Sequence, residues 1–173
     1  MDKRQEENKR DKTAIMQAFF SLLEKKPFEQ IAVTEITNLA GVSRMAYYRN
    51  FESKMEILDF FLELTFDQMT EELGEDIDFW SMEYGETFFR FMKKHRRYVL
   101  LLDRLGFSGM ILNAFNNTNE ELGGDMPRDS IERYRLYYAA GASYNAVIQW
   151  LKGGCKESAE ELAKYTAEFM GLA

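Results

Sequence analysis

The sequence predicts an all-α fold: a small three-helix domain built on a helix-turn-helix, residues 9–58, followed by a larger helical bundle domain, residues 59–173. Three observations carry that expectation. Apolar residues recur at helical spacing along most of the chain. Only two prolines, Pro27 and Pro127, interrupt it, and no stretch alternates apolar and polar residues with the β-branched enrichment of a strand. Residues 33–51 read as two short helices folded against each other around one glycine.

The first helix is expected over residues 9–25, where Ile15, Ala18, Phe19, Leu22 and Leu23 form a core-facing stripe and Pro27 prevents continuation. Thr34 is expected to cap the next helix, whose Ile36, Leu39 and Ala40 fall at i, i+3 and i+4 and bury one face. Gly41 supplies the left-handed residue that stops it, and Ser43 is placed to cap a second helix. In that helix Tyr47 and Phe51, four apart, point inward, while Arg44, Met45, Tyr48 and Arg49 share the outward surface. Such a unit has the shape that fits a DNA major groove. Ser53-Lys54-Met55-Glu56 has the form of a capping box and opens a helix that continues through Ile57, Leu58, Phe61, Leu62, Thr65 and Met69, long enough to join two domains without a linker. Lys54 puts a cation at the positive end of that helix, a conflict that a nearby anion such as a DNA phosphate would resolve.

Beyond Gly74, Trp80, Tyr84, Phe88, Phe91 and Met92 line a helix that Asp78 is placed to cap and that ends in the basic run Lys93-Lys94-His95-Arg96-Arg97, cations suited to a helix C-terminus. Phe107 to Phe115, with Met110, Ile111 and Leu112, reads as another helix. Asn116-Asn117-Thr118-Asn119 and Gly123-Gly124-Asp125-Met126-Pro127 hold turn formers and read as a break. Asp129 or Ser130 starts a long helix through Tyr134, Tyr137, Tyr138, Gly141, Tyr144, Val147, Ile148 and Leu151 to a stop at Gly153-Gly154. Ser158-Ala159-Glu160-Glu161 is a second capping box, opening a last helix with Leu162, Tyr165, Thr166 and Phe169 on one face. These two helices read as an oligomerisation unit, since the small residues at 139–143 admit close approach of another helix.

Charge is unevenly divided. The chain carries a net charge of -7; residues 1–54 hold 10 Lys and Arg against 8 Asp and Glu, residues 55–173 hold 12 against 21. The positive excess therefore lies with the helix-turn-helix and the acidic mass away from it, which orients an approach to phosphate. One cysteine excludes an internal disulfide, no run nears the ~18 apolar residues of a membrane span, and the charged N-terminus lacks the apolar core of a signal peptide, so a cytoplasmic protein without membrane partners is expected. No glycine-rich phosphate loop occurs, and the single His95 sits in a basic run that repels a metal ion; neither an enzyme nor a cofactor is expected.

Residues 9–58 resemble the DNA-binding domain of the TetR family of bacterial regulators. The resemblance rests on Val33-Thr34, Leu39-Ala40-Gly41-Val42-Ser43, Tyr48, Phe51, Ser53-Lys54 and Leu58 at the family's spacing, with Met45, Ala46 and Asn50 standing where the family usually has glycine, threonine and often histidine. It implies a homodimeric, ligand-responsive repressor that reads an inverted repeat in double-stranded DNA through Thr34, Ser43, Arg44, Met45, Ala46, Tyr48, Arg49, Asn50 and Lys54. It implies further that residues 129–170 pair with their copies in a four-helix bundle, for which the candidates are Ile148, Leu151, Leu162, Tyr165 and Phe169. A small apolar or aromatic effector would bind among Phe88, Phe91, Met92, Phe107, Met110, Phe115, Tyr137, Tyr138 and Tyr144. The alternative is a TetR-like co-regulator whose C-terminal domain binds a protein instead.

Overall fold

The computed structural model describes residues 3–74, 78–124 and 126–171, and these form nine α-helices, one 3₁₀ turn and no strand. The chain divides into two compact units, Met1–Leu62 and Glu63–Ala173.

In the first unit, α1 (Lys3–Leu23) packs against α2 (Val33–Ala40) and α3 (Arg44–Asn50), with a 3₁₀ turn at Phe28–Gln30 between α1 and α2 and the first turns of α4 (Lys54–Leu73) closing the core. α1 starts earlier than expected because nothing in residues 3–8 breaks a helix. Its Ile15, Ala18, Phe19, Phe20 and Leu23 are buried. Phe20 meets Phe61 edge-on at 4.8 Å, and Phe51 meets Phe60 at 5.8 Å. Each such ring contributes roughly 1.5–3 kcal/mol by leaving water.

The turn forms as the sequence requires. Gly41 adopts φ 69°, and both its own amide and that of Val42 bond the Thr37 carbonyl. Ser43 Oγ accepts from the Ala46 amide at 3.0 Å and starts α3, whose Ala46 and Tyr47 face the core. Two caps differ from expectation. α2 begins at Val33, so Ala32 and not Thr34 is its N-cap; Ala32 has no acceptor, and the Glu35 carboxylate takes the Ala32 amide at 3.0 Å while pairing with Lys26. These bonds, the Lys26 ammonium first, hold the Glu35 carboxyl below its usual range. At α4, Ser53 Oγ accepts from the Glu56 amide, but the Glu56 carboxylate reaches the Glu52 amide. Leu39 is 55% exposed, contrary to expectation. Thr37, whose hydroxyl is satisfied by the Thr34 carbonyl, completes the buried arc with Ile36, and Leu39 falls on the opposite flank.

Among the described residues the buried Tyr47 hydroxyl has no hydrogen-bond partner, and burial pushes its pKa up to about 12. Tyr47→Phe should therefore stabilise the protein by ~1 kcal/mol, because the ring packing stays and an unsatisfied polar group goes. Urea melts check this; a loss of stability would mean that the hydroxyl has a partner, such as a bound water.

The second unit holds the rest of α4, then α5 (Met82–Lys94), α6 (Arg96–Arg104), α7 (Ser108–Gly123), α8 (Ile131–Lys152) and α9 (Ala159–Phe169). α5 is capped by Ser81, which accepts from the Tyr84 amide at 3.1 Å; Asp78 instead bonds the Trp80 amide. The basic run does not end one helix but spans two, divided at His95. His95 is half-buried and stacked on Phe91, and burial followed by the Lys94 charge lowers its pKa, so it stays neutral between the cations. α7 runs through Asn116–Asn119 without a break: Asn119 is buried and donates to the Leu136 carbonyl at 2.9 Å, tying α7 to α8. Ser130 caps α8, and both bonds of the Ser158–Glu161 box start α9. α9 lies on α5 through small residues, where a Cβ on Gly85 would come within 3.2 Å of the Ala163 Cβ.

Candidate nucleic-acid interface

α3 divides its seven residues between two jobs. Inward, Ala46 and Tyr47 are 8% and 1% exposed, so the backbone of the helix is pinned to the core and its opposite face is fixed in space. Outward, Met45 is 80% and Tyr48 52% exposed, with Arg44 exposed beside them. Neither the Arg44 guanidinium nor the Tyr48 hydroxyl has a hydrogen-bond or ion-pair partner among the described residues. A seven-residue helix is about 10 Å long and fits within the roughly 12 Å width of a major groove. Chemically this face offers a planar five-donor cation, a phenol and a flexible thioether.

The other residues assigned to DNA are placed differently. Arg49 bends back onto α1, its Nε donating to Asn8 Oδ1 at 3.0 Å and its Nη2 to Asp11 Oδ2 at 3.1 Å. Asp11 and Asn8 carry no local signal of this role, since they lie some forty positions away in sequence. Asn50 donates to the Ala46 carbonyl at 2.8 Å and so finishes the helix. Ser43 Oγ is engaged as the cap, and Ala46 is buried. Thr34 is exposed at the start of α2. Lys54 needs no phosphate: its ammonium donates to the Phe28 carbonyl at 2.6 Å and the Ile31 carbonyl at 2.9 Å, and lies 4.5 Å from the Phe28 ring centre. The charge conflict at the head of α4 is thus resolved by carbonyl oxygens at the end of the 3₁₀ turn. On α1, Lys9 and Arg10 are exposed, whereas Lys12 lies over the Phe51 and Phe60 rings.

In the second unit, Phe88 and Phe115 line a small cavity of about 30 Å³, room for roughly one water. Its other walls, which the sequence did not single out for this role, are Phe66, Phe79, Tyr84, Thr118, Asn119, Ala140 and Ser143. None is charged. Burial raises the pKa of the Tyr84 hydroxyl, keeping it a neutral donor. The remaining effector candidates lie elsewhere: Phe91 and Met92 are buried core, Phe107 and Met110 are half-buried, and Tyr144 stands edge-on to Phe115 at 6.3 Å. The Tyr137 hydroxyl donates to Glu120, and Tyr138 is 69% exposed.

Two of the residues expected at a subunit interface are not available to one. Ile148 and Leu151 are 3% and 0% exposed within the single chain, where α5, α6 and α7 all pack on α8. Leu162 is half-buried, and Tyr165 and Phe169 are exposed. The open apolar stripe on α8 is formed instead by Ile131, Tyr134 and Tyr138, at i, i+3 and i+7. Among the described residues no helix is long and apolar enough to cross a membrane.

No protein-family model matches the sequence, and no curated protein matches it. Solved structures do match. A TetR transcriptional regulator from Streptococcus agalactiae 2603V superposes with a TM-score of 0.61 at 22% identity, over 96% of this chain and 97% of its own. The dihydroxyacetone kinase operon activator DhaS does so with a TM-score of 0.61 at 18% identity, over 92% and 93%. The fatty acid degradation regulator FadR from Bacillus halodurans gives 0.52 at 17%, over 94% and 93%. At these identities the likeness is one of fold: this chain has the all-α fold of TetR-type transcription regulators.

Proposed function

We propose that this chain is a transcription regulator that binds duplex DNA by laying α3 in the major groove. The observation that carries the reading is the outward face of α3, where Arg44, Met45 and Tyr48 stand exposed on a helix whose other side is locked into the core. Two copies paired through α8 and α9 would set two such helices on an inverted repeat, with half-sites about one helical turn or a little more apart. Arg44→Ala is the direct test. An arginine bidentate to guanine contributes ~1–3 kcal/mol of discrimination, so the variant should keep its fold and lose preference at one position of each half-site. Uniform weakening at every position would reassign Arg44 to phosphate.

Repression through occupancy of an operator, released by a small molecule, is the regulatory form we assign. The aromatic, uncharged walls of the cavity between α4, α5, α7 and α8 support a neutral apolar or aromatic effector, which would have to widen a space that now holds about one water. Such a compound at about 100 times its dissociation constant adds ~2.7 kcal/mol and should raise the melting temperature by roughly 5–10 °C, a rise that Ser143→Leu should abolish by filling the cavity. Stabilisation by anionic metabolites alone would contradict a neutral effector. A second reading, a co-regulator whose second unit binds a protein, gives the exposed Tyr134 and Tyr138 to that partner instead of to the dimer; a thermal screen without hits, together with a Tyr138→Asp variant that stays dimeric yet releases a captured partner, would establish it.

A further inference from the structure

Met45 is an unusual side chain to find at the centre of a groove-reading face. It is 80% exposed, it shares the outward side of α3 with Arg44 and Tyr48, and Ala46 beside it is buried, so the local backbone holds it away from the core. A single exposed methionine on a protein surface is ordinary. This one occupies the place from which base edges are read, and its chemistry restricts what it reads. A thioether has no donor and is only a weak acceptor, so it takes no part in the donor and acceptor code of the groove. The major-groove edge presents one apolar group, the C5-methyl of thymine. Met is also unbranched and polarisable, so it adapts to a methyl group without demanding a fixed rotamer.

We propose that Met45 reads a thymine methyl, making an A·T pair a fixed position in each half-site. The inference rests on the reading of α3 as the DNA-facing helix and goes beyond it by assigning the base and the group recognised.

The test uses the full-length protein and the duplex it selects from random DNA, with each thymine replaced in turn by deoxyuridine, which removes the methyl and leaves every hydrogen-bonding group. At one thymine per half-site the replacement should weaken wild-type binding about four-fold, or about fifteen-fold when both half-sites are changed, as expected for loss of a buried methyl. Met45→Ala, an exposed change to a good helix former, should bind the thymine and uracil duplexes equally, while Arg44→Ala should keep the difference. An equal penalty in wild type and Met45→Ala, no penalty at any thymine, or a selected half-site without a fixed A·T pair would overturn the assignment while leaving DNA reading by α3 in place. Failure to select any sequence would overturn that reading and the assignment with it.

Discussion

Lys54→Ala should destabilise the first unit by about 2–4 kcal/mol. The variant removes two charge-assisted hydrogen bonds, to the carbonyls of Phe28 and Ile31, and the contact with the face of Phe28. Bonds of this kind contribute about 1.5–3 kcal/mol each when a charged donor is involved, and water reaching the freed carbonyls of this half-buried site recovers part of the loss. Lys54→Met, which keeps the apolar stem, should fall between the variant and wild type. Where the variant is still folded, the slope of log K against log salt should match wild type, since no phosphate contact has been removed. Wild-type urea stability combined with a slope reduced by about one would return Lys54 to the DNA backbone and contradict the internal role.

Tyr138→Asp and Phe169→Asp should convert the proposed dimer to a folded monomer. Both side chains are exposed on the single chain, at 69% and 80%, so neither change costs the subunit its core. Across a two-fold axis each would bury two unpaired carboxylates, and a penalty of ~2 kcal/mol apiece already raises the dimer dissociation constant about a thousand-fold. Ile148→Asp must behave differently: with Ile148 buried beneath its own chain, the carboxylate would unfold the second unit. Sedimentation and circular dichroism separate the outcomes. A dimer that survives both surface changes places the interface on another face.

What the sequence disclosed was local, and what it concealed was held at long range. Gly41, Ser43, Ser130 and the Ser158–Glu161 box all act within a few residues of themselves, and each does what its type and spacing require. Arg49 and Lys54 looked like solvent-facing cations because their partners, Asp11 and the Phe28 and Ile31 carbonyls, are distant along the chain. Asn119 is a turn former whose amide found a carbonyl on a neighbouring helix, which let α7 continue. α6 was hidden because Val99, Leu101 and Leu102 follow directly on cations that read as the ending of the helix before. At the interface the same limit applied. The stripe on α8 has an apolar residue on nearly every side, so periodicity alone did not tell Ile148 and Leu151, which are buried, from Ile131 and Tyr138, which stand exposed among the described residues.

In the function proposed, the exposed face of α3 reads a DNA sequence. Selection of sites from a random duplex library by the purified full-length protein tests it most directly. An enriched inverted repeat is expected, with half-sites about one helical turn or a little more apart and one position in each half-site lost when Arg44 becomes alanine. A library that returns no enriched motif, or a motif that Arg44→Ala and Met45→Ala leave untouched, would contradict it.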